Sequence, residues 1–198
     1  MRDMASLREN LKEKSITDSP MNVPPNPLPQ KKLANIRNVR YTSHIRPKRA
    51  GIIIYTIDPK DGKRYFALGI DSTYGTLTDF GGGVSYRKDI NAKFGAIREF
   101  HEESLLVFGQ CTSRNIDDMV CIYNETNMII FLRVYMTLPQ REEVCTEFQN
   151  RLQKAPNAYE ISEIVWLTQV DIRIAQEEKL IYEPVSNLLS LIDLGRLR

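Results

Sequence analysis

Residues 80–106 read FGGGVSYRKDINAKFGAIREFHEESLL, and the organisation of the chain follows outward from them. Three glycines (Gly81, Gly82, Gly83) precede a stretch, Ile90–Leu105, with helical character. At about 100° per residue, Glu99, Glu102 and Glu103 project from one side of that helix, at i, i+3 and i+4. Like charges so close repel unless water or divalent cations neutralise them. The other side carries Phe94, Ile97, Phe100 and Leu105, which are expected to pack on a sheet. Ala92, Gly95 and Ala96 are expected to leave room for close approach on the carboxylate side. A glycine run between strand and helix can bring backbone carbonyls or amides up to an ion or a phosphate. Carboxylates with backbone oxygen, and His101 on the far side of the helix, make a hard oxygen site suited to Mg²⁺ or Mn²⁺ rather than zinc. Taken singly, the glutamates also describe a solvated helix face.

On either side the pattern is that of strands and further helices. AGIIIYTI (50–57) and RYFALGI (64–70) flank the turn DPKDGK and read as a hairpin. LTDF (77–80) is a short extended piece. MVCIYN (119–124), NMIIFLRVYM (127–136) and EIVWL (163–167) are strands, with Trp166 in the core. Residues 139–155 read as a helix starting at Pro139, and 171–197 as helical with a break near Pro184. Without regular βα alternation, the expected fold class is α/β with a mixed sheet flanked by helices.

The N-terminal part differs. Residues 4–14 suit a short helix, and SPMNVPPNPLPQ (19–30) holds five of the ten prolines and reads as an extended linker. Residues 1–50 carry eleven Lys and Arg against four Asp and Glu; the remainder carries sixteen against twenty-one. Lys31, Lys32, Arg37, Arg40, Arg46, Lys48 and Arg49 fall in one run without an acid, which suggests a polyanionic partner. No apolar stretch is long enough to span a bilayer, and the first residues are not a secretory signal. Three widely spaced cysteines (Cys111, Cys121, Cys145) suit neither a disulfide framework nor zinc; they read as small apolar fillers in a reducing compartment. Glu142, Glu143 and Glu147 read as a solvated helix face.

Residues 81–106 resemble the Nudix box, G-x5-E-x7-R-E-U-x-E-E-x-G-U, where U is a bulky apolar residue. The R-E-U-x-E-E core is complete as Arg98, Glu99, Phe100, His101, Glu102 and Glu103. Gly83 matches the box glycine. Asp89 stands where the first Glu is expected, the stretch from it to Arg98 is one residue longer than the pattern, and Leu105 replaces the late glycine. The resemblance implies an α/β/α sandwich over residues 46–198, with 1–45 as a basic, Pro-rich arm, and hydrolysis of a phosphoric anhydride with Mg²⁺ or Mn²⁺. It implies that Glu99, Glu102, Glu103 and the carbonyl of Gly83 bind metal, and that Arg98 orients the carboxylates.

A second stretch, EISEIVWL (160–167), is similar to that of the mRNA-decapping Nudix enzymes, including those of poxviruses and other large DNA viruses. There the leading acid, here Glu160, serves as base or extra ligand; Glu163 is the other candidate. This resemblance implies capped RNA as partner, a methylated guanosine diphosphate and 5′-monophosphate RNA as products, and a cytoplasmic place of action (the host's, for a virus). Lys31 to Arg49 would then contact phosphates, with Tyr41 and His44 available for stacking. Tyr41, Tyr74, Tyr86 and Tyr159 are the candidate cap-binding aromatics. As the alternative, GGGV resembles Nudix enzymes of diphosphoinositol or dinucleoside polyphosphates. The departures in the box leave a non-catalytic binding module as a third reading.

Overall fold

The computed structural model describes residues 35–154 and 159–197. The helix expected over 4–14, the linker 19–30, and Lys31 and Lys32 lie outside the described residues. Among the described residues, eight strands form one mixed sheet: β1 (Asn35–Asn38), β2 (Arg49–Ile57), β3 (Arg64–Asp71), β4 (Leu77–Thr78), β5 (Phe80–Gly83), β6 (Val120–Tyr123), β7 (Asn127–Arg133) and β8 (Ile161–Thr168). Its path is β1-β6-β7-β2-β3-β4, with β5 also on β2 and β8 also on β3. Of these strands, β2 and β7 pair in parallel and the other pairings are antiparallel. The hairpin of β2 and β3 stands as the sequence predicts, with Ile54 opposite Ala67.

The central strand β2 is buried on both faces, which is why it reads as an unbroken β-branched run. Ala50, Ile52 and Ile54 point into one core, and Ile53 and Tyr55 into the other. The first core is closed by α1 (Ala92–Glu103), through Ile97 and Phe100, and by α3 (Leu138–Lys154), through Val144 and Phe148. The second is closed by α4 (Gln169–Glu177) and α5 (Glu183–Leu189), through Ile172, Ala175, Val185 and Leu188. Between α1 and α3, α2 (Ser113–Ile116) is a single turn. The architecture is therefore the expected α/β/α sandwich on a mixed sheet. Trp166 packs partly buried against the first core. Among the described residues, no helix is long and apolar enough to cross a membrane.

One boundary moves. The sequence places residues 35–45 in the arm, but Asn35–Asn38 form an edge strand antiparallel to β6, and Val39 is buried in the first core. All four residues of that strand are exposed, so it lacks the apolar run that signals a strand in sequence.

Helix α1 starts where its cap dictates: the Asn91 side chain accepts hydrogen bonds from the amides of Lys93 and Phe94. Its end is unusual. Leu105 and Leu106 hold φ of 52° and 58°, the left-handed conformation that glycine would supply at the box's late position.

Candidate active site

The helix lies directly on the glycine strand. Ala92, Gly95 and Ala96 are buried, and the close approach that their small size allows is that of α1 to the sheet. A Cβ on Gly95 would stand 3.1 Å from Val84 and 3.2 Å from Asp89. A Cβ on Gly82 would stand 2.5 Å from Glu99 Oε2. Gly82 therefore has to be glycine for the Glu99 carboxylate to occupy its place.

Arg98 organises the cluster. Its Nε and Nη2 donate to Asp89 at 3.1 and 3.0 Å, and its Nη1 donates to Glu99 at 2.8 Å and Glu102 at 3.1 Å. Nη2 also donates to the carbonyl of Gly83 at 2.9 Å. Asp89, whose own Oδ2 accepts from the amide of Ser85 at 2.9 Å, is thus the anchor of the arginine. The Arg98 guanidinium and the Ser85 amide hold the Asp89 carboxyl below the usual range, despite its burial. A lysine at position 98 would keep the charge but could not bridge these acceptors. Arg98→Lys is expected to lower kcat/KM about 10- to 100-fold in steady-state turnover.

Glu103 is buried, and its Oε2 accepts from the amide of Gly81 at 2.7 Å. Burial, then the nearby Asp79, push its carboxyl up to about 9 despite Arg49. Burial and the neighbouring Glu102 and Glu160 also raise Glu99, against the pull of Arg98. Glu102 is the exposed member.

The glutamates separate two clefts that share Glu103 and Glu160. The larger, about 630 Å³, is lined by Glu99, Glu102, Leu105, Leu106, Arg151, Lys154 and Tyr159, and also by His101, which the sequence places on the far side of the helix from the glutamates. The Nε2 of His101 is occupied by the Cys111 amide at 2.8 Å. The smaller, about 380 Å³, runs over Gly81–Gly83 between Arg49, Asp71, Tyr74 and Tyr182. Glu163, on β8, lines neither cleft.

The basic residues separate into distinct places. Arg37 and Arg40 are exposed on or beside the edge strand, and Arg40 pairs with Asp118. Arg46 lies over the Tyr86 ring at 4.8 Å, and Lys48 is exposed. The carbonyl of Lys48 accepts from the amide of Val84, so this basic turn lies beside the end of the glycine strand. Arg49 is no part of a free arm: it is largely buried under the smaller cleft, with Nη2 on Asp79 Oδ1 at 2.5 Å.

Three residues of the site lie outside the expectations drawn from the sequence: Asp79, Gly51 and Tyr182. Asp79 is a lone acid in a short extended piece, and Tyr182 lies far from the box in sequence. Gly51 sits within an apolar strand, where an interior glycine is itself a sign of close backbone approach. Of the four candidate tyrosines, Tyr74 and Tyr159 line the clefts; Tyr41 is exposed, and Tyr86 donates to the Pro47 carbonyl at 2.7 Å. Cys111 and Cys121 are buried, with thiols pushed up to about 11 and about 12 by desolvation. Glu142 and Glu143 are exposed, and Glu147 pairs with Arg151.

As they stand, no three Asp, Glu, His or Cys side chains among the described residues converge to hold a metal ion. The donor set nonetheless suits a hard divalent cation. Glu99 lies against Gly82 and Glu103 against the Gly81 amide, with Glu102 exposed beside them, and these are hard oxygen donors.

No protein-family model and no curated protein matches the chain. Solved structures do match. A C. elegans Ap4A hydrolase binary complex is 19% identical over 73% of this chain and 93% of its own, with TM-score 0.40. The NUDIX domain of Shewanella oneidensis NrtR, complexed with ADP ribose, is 12% identical over 74% and 85%, with TM-score 0.38. A T. brucei MERS1–RNA complex is 11% identical over 75% and 64%, with TM-score 0.39. The chemistry of the cleft therefore stands on the residues of this chain.

Proposed function

We propose that this chain is a Nudix-type pyrophosphohydrolase that uses Mg²⁺ or Mn²⁺ and cleaves the 5′ cap of mRNA. The observation that carries the reaction type is the set of four carboxylates, Glu99, Glu102, Glu103 and Glu160, on one cleft beside the Gly81–Gly83 backbone. Glu99, Glu102, Glu103 and the Gly83 carbonyl are the residues that would hold the cation. When bound, it neutralises phosphate charge and polarises a water. Arg98 keeps Glu99 and Glu102 together, and Glu160, which lines both clefts, would accept the proton of the attacking water. Water adds across one P–O–P bridge, giving a methylated guanosine diphosphate and an RNA with a 5′ monophosphate.

Three features favour a capped RNA. Tyr74, Tyr159 and Tyr182 flank the carboxylates and offer rings for stacking. Lys48 lies beside the end of the glycine strand with Arg46 close by in the chain, and Arg37 extends the positive surface to the sheet edge. The start of EISEIVWL lies at the cleft as Glu160. Cap-labelled RNA incubated with Mg²⁺ or Mn²⁺ tests the proposal: release of methylated guanosine diphosphate is expected. Turnover of dinucleoside or diphosphoinositol polyphosphates alone would overturn the RNA substrate and keep the chemistry. Binding without turnover would favour the non-catalytic module.

The basic surface gives a quantitative expectation. With Arg37, Arg46 and Lys48 all changed to Gln, log–log plots of RNA affinity against salt should flatten by about 2, at about 0.7 for each phosphate no longer neutralised. Affinity for the free cap dinucleotide should stay within about twofold, since it presents too few phosphates to reach these side chains.

A further inference from the structure

We propose that Asp79 is a positioning residue: by engaging Arg49, it keeps the Glu103 carboxylate available to a divalent cation. This rests on the metal-dependent reading above. Asp79, between β4 and β5, is fully buried. Its Oδ1 accepts from Arg49 Nη2 at 2.5 Å, and its Oδ2 has no hydrogen-bond partner among the described residues. Oδ2 is aimed at Gly51, where a Cβ would stand 2.2 Å away. The same Nη2 donates to the Gly81 carbonyl at 2.7 Å and approaches Thr78 Oγ1 at 3.3 Å. The Gly81 amide in turn donates to Glu103 Oε2 at 2.7 Å. Arg49 is thus fastened to the residue that holds Glu103, and both line the smaller cleft.

A buried guanidinium needs an anion. Asp79 supplies it from beneath the cleft, where it contacts no ligand. Without the Asp79 charge, Glu103 is the nearby buried carboxylate left to pair with Arg49. Arg49 so paired would compete with the cation for the Glu103 oxygens. Gly51 belongs to the same device, because any side chain there would expel the Asp79 carboxylate.

Mn²⁺ binding to the full chain, followed by electron paramagnetic resonance of the free ion, tests this without turnover. Asp79→Asn is expected to weaken Mn²⁺ binding about tenfold or more. The double variant Asp79→Asn with Arg49→Met should return to within about threefold of wild type, because the stranded cation is gone. A general structural role would leave the double variant as weak as the single or weaker. Arg49→Met alone should bind Mn²⁺ at least as tightly as wild type, which covers failure of Asp79→Asn to fold. Unchanged affinity in a folded Asp79→Asn, no recovery in the double variant, or a loss in Arg49→Met would each overturn the proposal. If wild type itself bound no Mn²⁺, the metal-dependent reading would fall, and this inference with it.

Discussion

Glu103→Gln is expected to lower turnover of the cap-labelled RNA about a thousandfold or more, while raising the melting temperature of the metal-free protein at pH 8. The two effects share one cause. The carboxylate is buried beside Asp79, and the Gly81 amide and the nearby Arg49 offset part of its charge. Glutamate in an unfolded chain releases its proton near 4.5; in the folded, metal-free chain it holds it to about 9. The folded state therefore binds the proton more tightly. Below the lower value the group costs nothing, and stability is lost as pH rises through the interval towards about 9. Glutamine keeps the acceptor for the Gly81 amide and removes the charge, so it removes this loss. On the proposed reaction it would also remove an anionic ligand of the cation, and a missing ligand costs several kcal/mol of charge stabilisation, or about three orders of magnitude in rate. Thermal melts at pH 5 and pH 8, with and without Mn²⁺, separate the effects. Wild type should gain from Mn²⁺ at pH 8, and the variant should gain little. A variant that melted lower at pH 8 without metal would refute the electrostatic account, and a variant with full turnover would refute the role of Glu103.

The site is legible in sequence to the extent that helical geometry fixes it. Glu99, Glu102 and Glu103 lie one turn apart, so their shared side follows from 3.6 residues per turn alone. The motif marks Arg98 as their orienter, and its bonds to Glu99 and Glu102 follow from its position on the same turn. The β2 strand and both core layers are legible because a strand buried on two faces is apolar throughout. What stays hidden depends on pairing across the sheet. Arg49 reads as the last member of a basic run, yet β2 carries it beneath the cleft to meet Asp79, thirty residues further on. Residues 35–38 read as arm because an exposed edge strand needs no apolar pattern. Asp89 is a departure from the box in sequence, and the structure makes it the anchor of Arg98.

Gly51→Ala is expected to destabilise the fold by about 3 kcal/mol or more in urea denaturation, a larger loss than for alanine at Gly83. Gly51 pairs with Gly81 across β2 and β5. A Cβ at 51 would stand 2.2 Å from Asp79 Oδ2 and 2.8 Å from Gly81 Cα; one at 81 would stand 2.3 Å from Gly51 Cα. These obstacles are a buried carboxylate and backbone on both sides, which cannot swing away as an exposed side chain would. Separating the strands would break the antiparallel ladder that holds the glycine strand under α1. It would also disturb the Gly81 amide that holds Glu103. Gly83 is the opposite case. It matches the box glycine, yet a Cβ there meets nothing within 4 Å. Its carbonyl, which accepts from Arg98, is retained by any residue. Gly83→Ala should therefore cost under about 1 kcal/mol, within the range of ordinary surface substitutions. Comparable losses at 51 and 83 would mean that the glycines serve chain flexibility rather than close packing. The expected contrast gives each glycine its own role. Gly51 and Gly81 let two strands and a buried anion meet, Gly82 makes room for the Glu99 carboxylate, and Gly83 contributes a backbone oxygen at the mouth of the cleft.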